Sequence, residues 1–570
     1  MRIGRTDSYE QPTGEGAGSG GDEEFADDRV ISYLFRLVQA RRRQARPSAP
    51  TPDWARPHEK PQPTGVRLIT SGEYGRVWSK LESRAGRKNV ATQLLSRGSR
   101  LRPVFKEDIV SGLVPNTNGT TVVEEDANIY CAQFSADSSF YYTGTQDFKI
   151  SVYDMTASPT QPEKPDMPPQ PRRHRWRQRS YIVPPVQSTL KTIKTIRGAQ
   201  GQWTMTDTHL SPDNERVIYS SLCPVVYMAT THDSSETQIP INFSGRRTRV
   251  PAFDYDDELF RVYSCRFSAD GNEIVAGGSS LICVYDLLAN KRTVRIHAHN
   301  DDINSCCWAD TASGNVLVSA SDDTTLKVWD RRSLGSSQKP SGVLVGHTEG
   351  ITYVSAKGDG RYVISNGKDQ ALRLWDLRKM RTNDEWESVS RQDYRDDQFD
   401  YRHLPAQRYA AHPKDCSVMT YRGHSVLQTL IRCHFSPAET TGSQYVYSGS
   451  YDGRIHIWSL DGRVVQVLDR ARTLPLRVDP SAPEPEPMTS DRESVCVRDV
   501  SWHPREPVLL SAAFESSRGG SSVARHEWKG LTKTKGALED CVERQRLEAA
   551  ETPRRLPGQF VDDDGDDGWL

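Results

Sequence analysis

The sequence predicts an all-β fold, a seven-bladed β-propeller with a partly helical N-terminal extension and disordered tails. Three observations predict it. Trp329-Asp330 and Trp375-Asp376 lie 46 residues apart, close to the period of about 40–45 residues at which propeller blades repeat. From about residue 126 a unit recurs: strand, Ser-turn, strand, a run of small residues, an Asp turn, and a strand ending in an aromatic residue and Asp. Within each unit β-branched and aromatic residues alternate and Gly or Asp marks the turns, which is strand and hairpin patterning. Seven such units close a ring, and closure removes the exposed edges of an open sheet.

The units follow in order. The first is CAQFSADSSFYYTGTQDFKISVYD, ending at Tyr153-Asp154. The second, THLSPDNERVIYSSLCPVVYMA, is weaker, and the third, CRFSADGNEIVAGGSSLICVYD, ends at Tyr285-Asp286. The fourth and fifth end at the two Trp-Asp pairs, and the sixth, CHFSPAETTGSQYVYSGSYDGRIHIWS, ends at Trp458-Ser459. The seventh opens with VRDVSWHPREPVLLSAAFES and closes near Trp528, without a clear Asp turn. Its outer strand, and the way the N-terminal segment completes the ring, stay open.

Three units carry residue sets that predict a buried hydrogen-bonded tetrad. They are His299, Ser319, Asp323 and Trp329; His347, Ser365, Asp369 and Trp375; and His424, Ser448, Asp452 and Trp458. A buried Asp and a buried indole N–H need partners, and His and Ser supply them. Because each histidine recurs with its own repeat, the reading is structural and not catalytic.

The flanks divide as follows. Residues 1–65 are mostly disordered, with a short amphipathic helix at 26–41 that sets Val30, Leu34, Leu37 and Val38 on one side. Within them, 42–65 is rich in Arg and Pro and reads as linker. Residues 66–125 lead into the propeller, and SGEYGRVWSKLES suggests a second short helix there. The propeller spans 126–530, interrupted by insertions at 155–190 and 379–420, and 531–570 is a charged tail ending VDDDGDDGWL.

Lys plus Arg is 74 and Asp plus Glu is 75, so global charge gives no argument for nucleic acid or membrane. No 18-residue apolar run and no signal-peptide core occur, which predicts a soluble intracellular chain, nuclear, cytoplasmic or both, that binds no membrane. None of the ten cysteines forms C-x-x-C, so they read as core thiols of a reducing compartment. No phosphate-binding Gly-rich loop with Lys, no G-x-S-x-G and no metal-spaced His cluster appears. The expectation is a non-enzyme without metal or cofactor.

Both Trp-Asp pairs continue as W-D-x-R, ending in Arg332 and Arg378. Each arginine sets a permanent cation with a planar fork of donors at equivalent edges of neighbouring blades. With HNDDINSCCWAD, GHTEGITYVSAKGDGRYVISNGKDQALRLWDLR, SVMTYRGHSVLQTLIRCHFSP and VRDVSWHP, the chain resembles the WD-repeat substrate receptors of cullin-4 RING ubiquitin ligases, in particular their cullin-4-associated factor eleven (WD-repeat protein 23) branch. The likeness covers roughly 126–515 well and the N-terminal region loosely. It implies docking on an adaptor of the damage-specific DNA-binding protein 1 type through Arg332 and Arg378, with Asp330 and Asp376 holding the strand ends in register. It also implies an unnamed protein substrate presented for ubiquitination. The first and third units end in YDMT and YDLL, without the arginine.

Other readings stand beside this one. A basic residue after Trp-Asp also occurs in propellers that serve no ligase, so a ligase-independent scaffold for protein or RNA is the alternative. The run Arg172-Arg173-His174-Arg175-Trp176-Arg177-Gln178-Arg179 reads as a weak nucleic-acid contact, as a nuclear-import signal, or as a solvated insertion without a ligand. The helix at 26–41 reads equally as a second adaptor contact and as packing on the propeller.

Overall fold

A computed structural model describes residues 55–74, 113–158, 187–199, 201, 203–232, 236–244, 260–310, 314–333, 338–389, 401–402, 411–476, 495–516 and 519–530. All of them lie in the unit Trp54–Leu570. The expected helix at 26–41, the basic run at 172–179 and the tail at 531–570 lie outside these residues.

Seven antiparallel sheets form the seven blades, six of four strands and one of five. Blade 1 spans Ile129–Phe134 to Lys191–Arg197, blade 2 spans Asp207–Leu210 to Gln238–Asn242, and blade 3 spans Val262–Phe267 to Lys291–His297. Blade 4 spans Ile303–Trp308 to Gly342–Leu344, blade 5 spans Ile351–Ala356 to Met419–Tyr421, and blade 6 spans Cys433–Phe435 to Val464–Asp469. Blade 7 is built on Val495–Trp502, Val508–Glu515 and Gly520–Glu527. Burial falls from the axis outward. Ile303–Trp308, innermost in blade 4, is buried at every position, whereas outermost Lys191–Arg197 buries only Ile196. Most inner-strand positions carry apolar or small residues, with Arg266 and Arg498 buried among them, whereas outer strands such as Lys191–Arg197 and Lys291–His297 carry lysines and arginines toward solvent.

The ring closes by strand exchange between its ends. Thr120–Glu125 pairs antiparallel with Gly520–Glu527, in the register Thr120↔Arg525, and becomes the fourth strand of blade 7. Gln187–Ser188 adds a fifth strand outside it. The propeller therefore does not begin at 126, as the repeat unit suggested, because that unit was counted from the innermost strand. The two insertions are shorter than 155–190 and 379–420 for a related reason. Gln187–Ser188 and Lys191–Arg197 belong to sheets, and Met419–Tyr421 completes blade 5 after the helix Asn383–Val389.

Five inner strands carry a β-bulge, four of them one residue after their start (Ile129/Cys131, Val262/Ser264, Ile303/Ser305 and Ile351/Tyr353) and the blade 7 strand three residues after its start (Val497/Asp499). A bulge leaves one residue out of the ladder and re-aims its side chain. Here four of those side chains clip a blade to the next, the Tyr263 hydroxyl by donating to Asp302 at 3.0 Å. Asn304 Nδ2 donates to the Ile351 carbonyl at 2.8 Å, Thr352 Oγ1 to the Ile431 carbonyl at 3.1 Å, and Arg498 Nε to the Tyr130 carbonyl at 3.0 Å.

The axis is closed by buried charge. Arg266 of blade 3 pairs with Asp207 of blade 2, and Arg432 of blade 6 reaches both Asp207 (2.8 Å) and Asp499 of blade 7 (3.4 Å). His434 Nε2 lies 3.2 Å from Asp499 Oδ1, and Arg266 Nη2 donates to the Tyr353 hydroxyl at 2.9 Å. Burial pushes both aspartates up, but Arg266 and Arg432 outweigh it at Asp207, as Arg432 and His434 do at Asp499, so both carboxyls sit below their ordinary value. Removing one member of such a set leaves an uncompensated buried charge.

An N-terminal arm, 55–74, packs on blades 5 and 6. Val464 N donates to the His58 carbonyl and Gln62 N to the Asp461 carbonyl, both at 2.8 Å. Gln62 precedes the helix Pro63–Thr70, which has Pro in its first turn, where the missing N–H costs nothing. Gly65 faces the backbone of Asp461 so closely that a Cβ would stand 2.7 Å from its Cα. Tyr74 is buried, its ring centroid 5.4 Å from that of Tyr362 and its hydroxyl 3.3 Å from the Leu460 carbonyl. One expectation is corrected here: the stretch read as linker packs on blades 5 and 6 through 57–65. Of SGEYGRVWSKLES, where the sequence suggests a second short helix, residues 71–74 form a turn and the rest lies outside the described residues.

Candidate protein-docking site

The third strands of blades 4 and 5, Leu326–Asp330 and Ala371–Asp376, run parallel to the innermost strands. Their ends therefore share one face of the ring with Trp308 and Ala356. At the end of blade 4, Asp330 Oδ1 accepts from the Arg332 backbone N–H at 3.0 Å, capping the turn. The turn folds the Arg332 side chain back, with Nε 3.0 Å from Oδ1 and Nη2 2.7 Å from Oδ2. This hydrogen bond holds Asp330 below its ordinary pKa. The Arg332 side chain is 70% exposed, and among the described residues its guanidinium bonds only Asp330.

Blade 5 repeats the arrangement with an addition. Asp376 caps the turn Leu377–Lys379 by accepting from Arg378 N at 3.0 Å, and Arg378 Nη2 reaches Asp376 Oδ2 at 2.9 Å. The same Nη2 donates to Glu73 Oε2 of the N-terminal arm at 2.8 Å, and Arg361 bonds both Glu73 and Asp376. Asp376 is buried, and its burial pushes the carboxyl up against the pull of Arg361. Arg378 remains 58% exposed.

The Asp-capped turn does not itself require arginine. Asp154 of blade 1 accepts from Thr156 N, and Asp286 of blade 3 from Leu288 N, both at 2.9 Å. The two arginines are thus an addition to a shared turn. Chemically they offer two forked cations, on one face and on adjacent blades, suited to carboxylates or carbonyls.

Sequence reasoning missed Glu73 and Arg361. Arg361 had a signal, since Tyr362 pairs with Asp376 across the hairpin and its neighbour must lie beside that carboxylate. Glu73 had none, because its partners lie far along the chain.

The tetrad residues separate into two groups. In blade 4, His299 Nδ1 lies 2.8 Å from Asp323, His299 Nε2 lies 2.8 Å from Ser319 Oγ, and Trp329 Nε1 donates to that Oγ at 3.0 Å. In blade 5 the corresponding His347–Asp369, His347–Ser365 and Trp375–Ser365 distances are 3.0, 2.7 and 2.8 Å. Burial lowers the His299 pKa against the pull of Asp323.

In blade 6 the expected set does not come together. His424 Nε2 pairs with Asn366 Oδ1 at 2.6 Å, and Trp458 Nε1 donates to the Arg422 carbonyl at 3.0 Å. Ser448 Oγ accepts from Asn366 Nδ2 at 3.0 Å, and Asp452 caps Arg454 N at 3.2 Å. The loop turns at Gly423, φ 118°, where a Cβ would meet Pro57 of the arm at 2.8 Å. That turn brings the Arg422 carbonyl to the indole in place of a serine.

Comparison with known proteins adds to this geometry. The family described as WD domain, G-beta repeat matches residues 116–154, 255–286, 290–330, 338–376 and 415–459. The LEC14B protein of Lithospermum erythrorhizon is 36% identical over 428 residues, covering 74% of this chain and 77% of that protein. A protein of Caenorhabditis elegans called DDB1- and CUL4-associated factor 11 homolog is 32% identical over 395 residues, 68% of this chain and 59% of that protein. The chain belongs to this WD40-repeat family. Both W-D-x-R motifs end segments adjoining matched repeats of this WD40 protein, with Arg332 and Arg378 each two residues beyond the match. Among the described residues of the WD40 ring, no His, Cys, Asp and Glu group has the arrangement to hold a metal ion, and no helix is long and apolar enough to cross a membrane.

Proposed function

We propose that this WD40 protein is a non-catalytic substrate receptor of a cullin-4 RING ubiquitin ligase. It docks on a DDB1-type adaptor through Arg332 and Arg378 and presents a target protein for ubiquitination. One observation carries the reading: two exposed guanidiniums, each oriented by its own Asp, stand on the same face of adjacent blades where blades 1 and 3 have none. Similarity to a protein named for association with DDB1 and CUL4 supports it. Two oriented forks define a docking angle as well as affinity, and the receptor contributes proximity and orientation to a reaction carried out elsewhere. The site of action is nucleus, cytoplasm or both.

The test is co-precipitation with the adaptor, comparing wild type with Arg332→Ala plus Arg378→Ala. Binding lost in a double variant that melts like wild type is the expected result. A wild-type chain that captures no adaptor would leave the ligase-independent scaffold as the function.

A further inference from the structure

A third arginine stands on the docking face, outside both W-D-x-R motifs. In blade 6 the third strand, Arg454–Ser459, ends beside Phe435, as the third strands of blades 4 and 5 end beside Trp308 and Ala356. The turn that follows, residues 460–463, therefore shares the face of Arg332 and Arg378. Backbone bonds align the three turns. Leu460 N donates to the Gln444 carbonyl at 3.0 Å, as Leu377 N does to the Arg361 carbonyl and Arg331 N to the Asn315 carbonyl, both at 2.9 Å. In that alignment Ser459 stands where Asp330 and Asp376 stand, and Asp461 stands where the two arginines do. Blade 6 thus lacks the motif, but its geometry returns two residues later. Asp461 Oδ1 accepts from Arg463 N at 3.1 Å, and Arg463 Nε lies 3.3 Å from Asp461 Oδ2. Gly462 makes the turn at φ 92°. The Arg463 side chain is 51% exposed, close to the 58% of Arg378.

The N-terminal arm ties this turn to that of Arg378. At one end Glu73 bonds Arg378. At the other, Gln62 N donates to the Asp461 carbonyl at 2.8 Å, and a Cβ on Gly462 would meet Gln62 Nε2 at 2.7 Å. The helix Pro63–Thr70 lies between the two contacts, and its eight residues span about 12 Å. The arm is therefore a spacer that fixes one guanidinium relative to the other. Asp-Gly-Arg is not in itself a docking signature. Asp452-Gly453-Arg454 makes the same cap, Arg454 N donating to Asp452 at 3.2 Å, but it joins the second strand of blade 6 to the third, on the opposite face. What sets Arg463 apart is its place: on the docking face, on the next blade round, and held by the same arm.

We propose that Arg463 is a third docking cation, so that blades 4, 5 and 6 present an arc of three Asp-oriented guanidiniums to one partner surface rich in carboxylates or carbonyls. The proposal rests on the receptor reading above, and the partner is the same DDB1-type adaptor. Two anchor points leave a partner free to turn about the line that joins them, and a third point off that line removes this freedom. Each fork is already oriented by its Asp, so less side-chain freedom is lost when the partner docks. Complementary charge of this kind sets orientation and encounter rate as well as affinity.

The experiment is a calorimetric titration of the full chain with purified adaptor, using wild type, Arg332→Ala, Arg463→Ala, Arg463→Lys and Arg454→Ala. Arg454→Ala removes the same charge from the opposite face. The expected result is that Arg463→Ala weakens binding by about tenfold, the scale of one hydrogen bond to a charged group. Arg463→Lys, which keeps the charge and loses the fork, falls between Arg463→Ala and wild type, and Arg454→Ala binds like wild type. Thermal melts of all the variants match wild type; should Arg463→Ala melt lower, the comparison is carried by Arg463→Lys. Arg463→Ala binding like Arg454→Ala, while Arg332→Ala is weakened, overturns the proposal and leaves the receptor reading in place. Wild type that binds no adaptor, or binding that neither Arg332→Ala nor Arg463→Ala weakens, overturns both.

Discussion

Ser365→Ala tests the blade 5 tetrad most directly. Asp369 faces His347 Nδ1, which makes that nitrogen the donor and leaves Nε2 to accept from the Ser365 hydroxyl, while Trp375 donates to the same oxygen. Ser365, His347 and Trp375 are all buried. Deleting one oxygen therefore orphans two groups that no water can reach. At about 1–3 kcal/mol for each unsatisfied buried group, the predicted loss is about 2–6 kcal/mol. That is a large part of the stability of a typical domain, about 5–15 kcal/mol. Ser448→Ala in blade 6 is the control. There the indole is satisfied by the Arg422 carbonyl, and Asn366 Nδ2 keeps the Ile431 carbonyl at 3.2 Å, so the loss is about 1 kcal/mol. Urea unfolding followed by tryptophan fluorescence measures both, provided the slope is unchanged. A Ser365→Ala loss under about 1 kcal/mol, or equal losses in the two variants, would refute the reasoning.

Other predictions follow from the same geometry. His209, His424, His456 and His526 are kept neutral by burial, each pushed down to about 3. The unfolded chain, with histidines near 6.5, binds more protons between those values, so stability is full above about pH 6.5 and falls as the pH drops, by up to about 2 kcal/mol per group at pH 5. A urea midpoint independent of pH from 7.5 to 5 contradicts this, and His456→Phe should reduce the slope. Gly65→Val places a Cβ 2.7 Å from Asp461 Cα and should release the arm, seen as new tryptic cleavage at Arg67; unchanged protection would show that the arm bends around it. A chain begun at 126 leaves Gly520–Glu527 as an open edge and should aggregate, whereas one begun at 113 stays soluble; equal solubility would deny the closing strand its role. Arg332→Ala should leave the urea midpoint unmoved, since its side chain is 70% exposed and its partner is a surface carboxylate; a clear drop would assign it a structural task.

What the sequence revealed was local. Each tetrad of blades 4 and 5 lies within one repeat, and the Asp-capped turn that positions Arg332 spans three residues, so spacing alone was enough. The blade 6 set failed because its geometry depends on Gly423 turning beneath Pro57, a contact between segments far apart in the chain. Glu73 was hidden for the same reason, as was the axial network, in which each blade contributes an isolated Arg, Asp or His without a repeat to mark it. Thr120–Glu125, TTVVEE, does read as a strand, but nothing local pairs it with Gly520–Glu527.

That pairing sets a timetable for synthesis. The strand that seals blade 7 is among the first parts of the ring to leave the ribosome, and its partner is the last. At about 5–20 residues per second, the interval is on the order of tens of seconds. Throughout it, each finished blade presents an unpaired flank to the next, and no blade can be locked into a circle. The nascent chain is an open arc that becomes a ring in one late step, so any holding factor, and any premature stop before Gly520, acts on the arc and not on the finished propeller.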